Sequence, residues 1–242
     1  MKILVACEES QLVTIEFRKL GHEAYSCDIL PCSGGYPEWH IHSDVRPILN
    51  DNWDLVIAHP ECTRLTCAAN KYYKPEYATR FPTIHEDREQ AVLFFMIFTT
   101  CNANMVAIEN PIGIMSTRYK KPNQIIQPYQ FGHAERKATC LWLKNLPNLV
   151  PTNIVKPDII VHKSGKTDSR LHYDTLRLPK EERRKARSKT FQGIAKAMAE
   201  QWGGMGCRRR AWSGCFTDNQ QLKPRNAELC GSGASIRYAS LR

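Results

Sequence analysis

With 242 residues, 42% of them hydrophobic, the chain can bury a full core, and one catalytic domain is the expectation. Its formal net charge of +10 asks for a partner of opposite sign, and nucleic acid is the usual one for a compact basic protein. The ten cysteines stand singly, with no CxxC pair and no signal peptide ahead of them, which argues against a disulfide framework and for a reducing, cytoplasmic setting; no apolar run reaches the roughly twenty residues of a membrane span.

Residues 2–6, Lys-Ile-Leu-Val-Ala, form a near-continuous apolar run of the kind found in strands covered on both faces. Cys7-Glu8-Glu9-Ser10 reads as a turn. Residues 12–20 carry apolar side chains at helical spacing (Leu12, Val13, Ile15, Phe17, Leu20) and are closed by Gly21, a favoured helix cap. A second strand is expected at 23–27, with Asp28 at its carboxyl end, where doubly wound folds place an acid against the ribose hydroxyls of a nucleotide-like cofactor. A short third strand at 39–41, the Ser43-Asp44-Val45 turn and a stronger strand at 53–58 follow. Thr83-Ile84-His85-Glu86 has capping-box spacing and opens a helix whose Phe94, Phe95, Ile97 and Phe98 read as core. A fifth strand is expected at 105–108, a hairpin over 127–143, a charged stretch at 180–189 and a last helix over 191–202 with Ile194, Ala195, Met198, Ala199 and Trp202 on one side. The pattern predicts an α/β fold with a doubly wound, mostly parallel sheet in one catalytic domain, 1–203. Beyond Gly203 the composition turns polar and basic, with Arg208-Arg209-Arg210, so residues 204–242 read as a basic tail. Cys207, Cys215 and Cys230 are too widely spaced, and too far from any histidine, to predict a metal site.

Two strand ends carry the chemistry. One runs Asp54-Leu55-Val56-Ile57-Ala58-His59-Pro60-Glu61-Cys62, the other Val106-Ala107-Ile108-Glu109-Asn110-Pro111. If these strands are neighbours, Cys62 and Glu109 converge on one pocket at the carboxyl edge of the sheet. A thiolate nucleophile beside a proton-donating carboxyl suits attack on an electron-poor ring such as a pyrimidine base. The loop after Cys62 mixes Thr63, Arg64, Lys71 and Lys74 with Tyr72 and Tyr73, a combination suited to phosphate contact and base stacking.

With Pro60-Glu61-Cys62 followed by Glu109-Asn110-Pro111 in this order and setting, residues 1–203 resemble the cytosine-5 DNA methyltransferases, in particular the short versions encoded by bacteriophages and prophages. The resemblance implies the Rossmann-like fold of S-adenosylmethionine-dependent methyltransferases. It implies that Cys62 attacks carbon 6 of a flipped-out cytosine while Glu109 holds ring nitrogen 3 and the exocyclic amine, so that carbon 5 accepts the methyl group of S-adenosyl-L-methionine. It places the cofactor against Ala6, Cys7, Glu8 and Ser10 of the first loop, against Asp28, Asp44 and Pro60, and near Gly193 of Thr190-Phe191-Gln192-Gly193-Ile194. It places Asn110, Arg64 and Lys71 at the substrate, and the family's Gln-x-Arg-x-Arg motif falls at Glu135, Lys137 and Thr139, leaving Arg136 or Lys137 as the cation there. No metal is implied.

Three departures qualify this expectation. The first loop contains no glycine to allow close backbone approach to a ligand. Glu61 replaces the second proline of the nucleophile motif and would raise the pKa of Cys62 unless its side chain points away. The segment available for target recognition, 149–185, is short, which leaves room for low sequence specificity, a single-stranded or RNA substrate, or help from a partner. A base-modifying enzyme acting on RNA or on a modified pyrimidine, and a catalytically silent nucleic-acid binder, stand as the alternatives.

Overall fold

The computed structural model describes residues 1–205. In chain order its elements are β1 (Lys2–Ala6), α1 (Leu12–Lys19), β2 (Glu23–Asp28), β3 (His40–His42), β4 (Leu55–Ala58), α2 (Ile84–Thr100), β5 (Met105–Pro111), α3 (Met115–Arg118), β6 (Gln124–Ile126), β7 (Thr139–Lys144), β8 (Ile159–Val161), β9 (Thr167–Ser169), α4 (Arg170–Asp174), α5 (Lys180–Ser188) and α6 (Gln192–Gly203). Seven strands form one sheet in the order β3-β2-β1-β4-β5-β7-β6, with β7 antiparallel to both its neighbours and the remaining pairings parallel. This is the doubly wound, mostly parallel sheet expected from the sequence.

The central strands lack a polar face because both faces are covered. Ile3, Val5, Leu55 and Ile57 pack with Val13 and Phe17 of α1 and with Ile194, Met198 and Trp202 of α6. Their neighbours Leu4, Ala6, Val56 and Ala58 point the other way, onto Phe95 and Phe98 of α2 and onto Trp53. Each large side chain buried in this way contributes about 1.5–3 kcal/mol. Strand order reverses between β1 and β4, so the crevice for a ligand lies beyond the carboxyl ends of these two strands and of β5.

Local departures from expectation have identifiable causes. Thr83 precedes α2 with near-helical dihedrals (φ −95°, ψ 6°), and its hydroxyl caps nothing; the extended backbone that aims such a hydroxyl at the first turn is missing. The hairpin expected over 127–143 is an antiparallel pair, β6 with β7, whose first strand ends at Ile126. Pro128, which has no amide hydrogen for the ladder, begins a short 3-10 turn instead. The segment expected to serve target recognition, 149–185, contains the β8–β9 hairpin, α4 and the start of α5. Met205, just past α6, still packs on the core beneath that helix, while the expected basic tail with Arg208, Arg209, Arg210, Cys207, Cys215 and Cys230 lies outside the described residues. Among the described residues no helix is long and apolar enough to cross a membrane.

One glycine ties the two chemical strand ends together. Gly113 follows β5, and a Cβ added there would lie 2.1 Å from the carbonyl oxygen of Leu65 in the loop after Cys62. The same contact is held by Ile114 N–H donating to the Leu65 carbonyl (2.9 Å) and Cys67 N–H donating to the Ile112 carbonyl (3.2 Å). Gly113→Ala is therefore expected to cost about 1–3 kcal/mol through overpacking, a fall in Tm of about 2–4 °C per kcal/mol at this chain length. Gly204→Ala, where an added Cβ meets nothing within 4 Å, serves as the control and is expected to melt with the wild type. Unchanged melting of Gly113→Ala in thermal unfolding would contradict the close approach.

Candidate active site

Parallel pairing of β4 with β5 sets Ala58 opposite Ile108. The next residues on the two strands, His59 and Glu109, are then neighbours, and His59 Nδ1 lies 2.8 Å from Glu109 Oε2 with both side chains largely buried. One position further along, Asn110 Nδ2 donates to the Pro60 carbonyl (2.8 Å), bracing the two strand ends against each other. The chain then turns, with Leu65 and Thr66 N–H donating to the Cys62 carbonyl (2.9 and 3.0 Å), and this turn holds Cys62 at the pocket beside Glu109.

The electrostatics show which groups share this pocket. Burial first, and the Glu109 carboxylate second, hold the Cys62 thiol above its ordinary pKa, while the Lys137 ammonium works in the opposite direction. Glu61 is a minor influence on the thiol: its side chain is 65% exposed, accepts a hydrogen bond from Thr63 Oγ1 (2.8 Å) and lies 3.9 Å from Arg184 of α5. The glutamate at the motif's proline position thus points away from the sulfur. Burial disfavours the charged form of both Glu109 and His59, yet their hydrogen bond and mutual attraction prevail. Glu109 lies below the usual carboxylate range, with Lys137 adding to the effect, and His59 lies above the usual imidazole range, with Glu8 adding to it. Each partner thus favours the charged form of the other, an imidazolium donating to a carboxylate.

The sequence reading passed over His59. The signal was present, a histidine at the end of a strand whose neighbour ends in glutamate, but it becomes visible only once the β4–β5 register is known.

The first loop bends without glycine. Cys7 (φ 60°) and Gln11 (φ 59°) both adopt left-handed conformations, at a cost of about 1–2 kcal/mol each. Glu8 helps offset that cost. It is buried, and its carboxylate accepts from Val13 N–H (2.6 Å), Thr14 N–H (3.2 Å) and Thr14 Oγ1 (2.7 Å), capping α1 from inside the protein. Ser10 is buried too, with its carbonyl so close to Gly34 that a Cβ there would sit 2.7 Å away. The Gln11 side chain clasps the backbone of Tyr36, with Nε2 donating to its carbonyl (2.8 Å) and Oε1 accepting from its N–H (3.1 Å). Glu8 and Ser10, expected at the cofactor, are thus also tied into the loop's own packing. Gly193 likewise lies at a packing contact, where a Cβ would be 1.9 Å from the Phe131 carbonyl oxygen and where its N–H donates to His133 Nε2 (2.8 Å).

What gathers at the carboxyl ends of β1, β2 and β3 is acidic. Burial, then the charges of Asp28, Asp44 and Glu61, drive the Cys7 thiol far up, which places these three acids around the end of β1. Asp28 accepts from Leu30 N–H through Oδ1 (2.9 Å), and Asp44 is paired with Arg46 (2.7 Å). Ala6 closes β1, its carbonyl accepting from His59 N–H (2.9 Å). The carboxylate ending β2 could accept hydrogen bonds from ligand hydroxyls, and the acids around the end of β1 would favour a ligand that carries a cation.

On the substrate side the two alternatives for a cation separate. Lys137 acts on Cys62, His59 and Glu109 alike, whereas the Arg136 guanidinium donates to Thr167 of β9 (3.1 Å). Arg64 is paired with Asp87 of α2 (2.7 Å) and supports the loop from behind. Lys71 is exposed, its ammonium 4.9 Å from the centre of the Tyr72 ring. Helix α5, whose sequence gave no sign of a role here, reaches the same mouth through Arg184 to Glu61 (3.9 Å) and Lys185 to Glu9 (3.4 Å).

No protein-family model matches the chain, and no curated protein matches it. Among solved structures, similar chains include a candidate DNA modification methyltransferase encoded within a prophage of E. coli, at 13% identity and TM-score 0.42, covering 64% of this chain and 51% of that one. The Entamoeba histolytica methyltransferase EhMeth matches at 12% identity and TM-score 0.41, covering 65% and 57%. The S. pombe Dnmt2 methyltransferase matches at 16% identity and TM-score 0.39, covering 74% and 60%. The chain thus spans about half to three fifths of the length of these structures, and overlaps this loose carry no weight for its activity.

The charge balance at Cys62 is open to direct measurement. Removing the ammonium that opposes burial and Glu109 raises the thiol further, so Lys137→Met is expected to slow alkylation of Cys62 by iodoacetamide about 3- to 10-fold near pH 8, equivalent to half to one pKa unit. Glu61→Gln is expected to change the rate little. Peptide-resolved mass spectrometry over a time course checks both, and faster alkylation in Lys137→Met would contradict the arrangement.

Proposed function

We propose that this protein transfers a methyl group from S-adenosyl-L-methionine to carbon 5 of a flipped-out cytosine in nucleic acid, with DNA the expected substrate. The observation that supports this reading is that Cys62 and Glu109 follow the adjacent ends of β4 and β5, near enough for the charges of Glu109 and Lys137 to act on the thiol. Carbon 5 of cytosine is a poor nucleophile until a group adds to carbon 6, and the ring is out of reach while stacked, so a thiol at the floor of a pocket needs the base extruded. Lys137 favours the thiolate that forms this bond. Glu109 holds nitrogen 3 and the exocyclic amine while electron density moves onto the ring. Asp28 is the acceptor for ribose hydroxyls, and the acids around the end of β1 favour a cationic ligand there. When bound, the cofactor supplies an electrophilic methyl group.

Electrostatic attachment of the nucleic acid is expected from Lys71 and Lys74 in the loop after Cys62 and from α5, whose Arg184 and Lys185 reach Glu61 and Glu9. A single-stranded substrate, DNA or RNA, is the second reading. It is favoured by the recognition segment, whose β8 and β9 have three residues each, leaving little surface to read a duplex.

The test is nucleoside mass spectrometry of DNA and RNA from cells expressing the wild type or Cys62→Ala. 5-Methylcytosine is expected with the wild type and absent with the variant, while purified Cys62→Ala still binds S-adenosylmethionine in equilibrium dialysis. Methylation retained in the variant would overturn the nucleophile, and no cofactor binding by the wild type would overturn methyl transfer itself.

A further inference from the structure

We propose that His59 is a positioning residue that stores the proton delivered through Glu109 to nitrogen 3 of the base during attack by Cys62. This rests on the reading of the site given above and adds to it the source of a proton that a buried, ionised Glu109 does not itself carry.

Two independent observations bear on it. His59 Nδ1 is within hydrogen-bond distance of Glu109 Oε2 at 2.8 Å, in a pocket where both side chains are largely buried. The other ring nitrogen, Nε2, is buried as well and has no hydrogen-bond partner among the described residues. A structural histidine placed only to anchor Glu109 would have its second nitrogen satisfied, since an unsatisfied buried polar group costs about 1–3 kcal/mol. The proton shared between Nδ1 and Glu109 is the one placed for transfer, and the charges of Glu109 and Glu8 favour the imidazolium that carries it. Each charged neighbour lies on a different element. Glu109 is on β5, Glu8 is in the loop after β1, Lys137 lies just before β7, and His59 itself follows β4. The thiols of Cys62 and of Cys140 on β7 also feel Glu109. Glu8 is fully committed to capping α1, which leaves Glu109 as the group able to take the proton.

The electrons balance as follows. The Cys62 thiol gives its proton to water, regained when the thiolate is later expelled; its sulfur pair forms the S–C6 bond, the C5–C6 π pair becomes C4–C5, and the C4–N3 π pair moves onto nitrogen 3. Nitrogen 3 takes a proton from Glu109 as Glu109 takes the Nδ1 proton of His59, leaving a neutral imidazole. The C4–C5 pair then bonds to the methyl group, whose donor leaves as a thioether, and the nitrogen 3 lone pair restores the C4–N3 double bond. Loss of the carbon 5 proton to water reforms C5–C6 and expels the thiolate. The proton on nitrogen 3 returns through Glu109 to His59, so the pair ends as it began.

The experiment has two arms. In the first, histidine ring resonances are titrated by NMR in the wild type and in Glu109→Gln. His59 is expected to titrate above the ordinary value of about 6.5 in the wild type and to fall below it in the variant. A wild-type His59 titrating below the ordinary value overturns the proposal without recourse to any variant. In the second arm, single-turnover methylation is followed against pH in the wild type and in His59→Asn, whose side-chain amide keeps a donor toward Glu109 but stores no proton. The wild-type rate is expected to fall as pH rises through the His59 pKa. His59→Asn is expected to lose that alkaline limb and about 10²-fold in rate, the low end of general-acid contributions, with KM little changed. A wild-type rate and profile in His59→Asn overturns the proposal. If the wild type methylates no cytosine, the reading of the function falls, and the first arm then decides the proton-storing pair by itself.

Discussion

The register between β4 and β5 is the constraint on which the site depends. With Ala58 opposite Ile108, His59 and Glu109 come side by side, Asn110 reaches the Pro60 carbonyl, and the turn that follows delivers Cys62 to the same pocket. Side chains alternate along a strand, so a slip of one residue would send Glu109 to the opposite face of the sheet and bury a carboxylate against the aromatic core of α2. Two kinds of interaction enforce the register. Val56, Ala58, Val106 and Ile108 share the core with Phe95 and Phe98, while the Leu65 carbonyl fits against Gly113 with no room for a side chain.

Charge is distributed around that pocket in two opposed fields. Around the end of β1 stand Asp28, Asp44 and Glu61, while Lys137 acts on Cys62 and Arg184 and Lys185 of α5 reach Glu61 and Glu9. Of these, the exposed Arg184–Glu61 pair is worth about 0–1 kcal/mol and is open to exchange with phosphate, whereas Lys185 meets a largely buried Glu9. Cys62 rests above its ordinary pKa. A thiol held in this state is quiet in the absence of a base, which protects a part-buried cysteine from adventitious chemistry.

Much of this architecture was legible in the sequence because it depends on local patterns. Unbroken apolar runs at β1, β4 and β5, a helical stripe over α1 and the apolar face of α6 all have a period that can be read without coordinates. The nearness of Cys62 to Glu109 followed from strand adjacency, a property of doubly wound sheets. Interactions that depend on long-range geometry were hidden. Glu8 reads from the sequence as a turn residue at the cofactor, and its place inside the cap of α1 depends on left-handed backbone at Cys7 and Gln11, residues that give no such signal. Gly193 looked like a ligand-facing glycine, but its need is set by Phe131, far away in sequence. The choice between Arg136 and Lys137 turns on which side chain faces β9, and the partner of His59 on a register that no single strand encodes.

The central claim, that the Cys62 sulfur adds to a cytosine whose carbon 5 must then lose its substituent, is tested most directly by covalent trapping. An oligonucleotide carrying 5-fluorocytosine is incubated with the protein and S-adenosylmethionine, and the mixture is resolved under denaturing conditions. Fluorine cannot leave as a proton does, so the account predicts a stable protein–oligonucleotide adduct whose tryptic peptide maps the cross-link to Cys62. Methylation of ordinary cytosine without any such adduct, or an adduct at another residue, would contradict it.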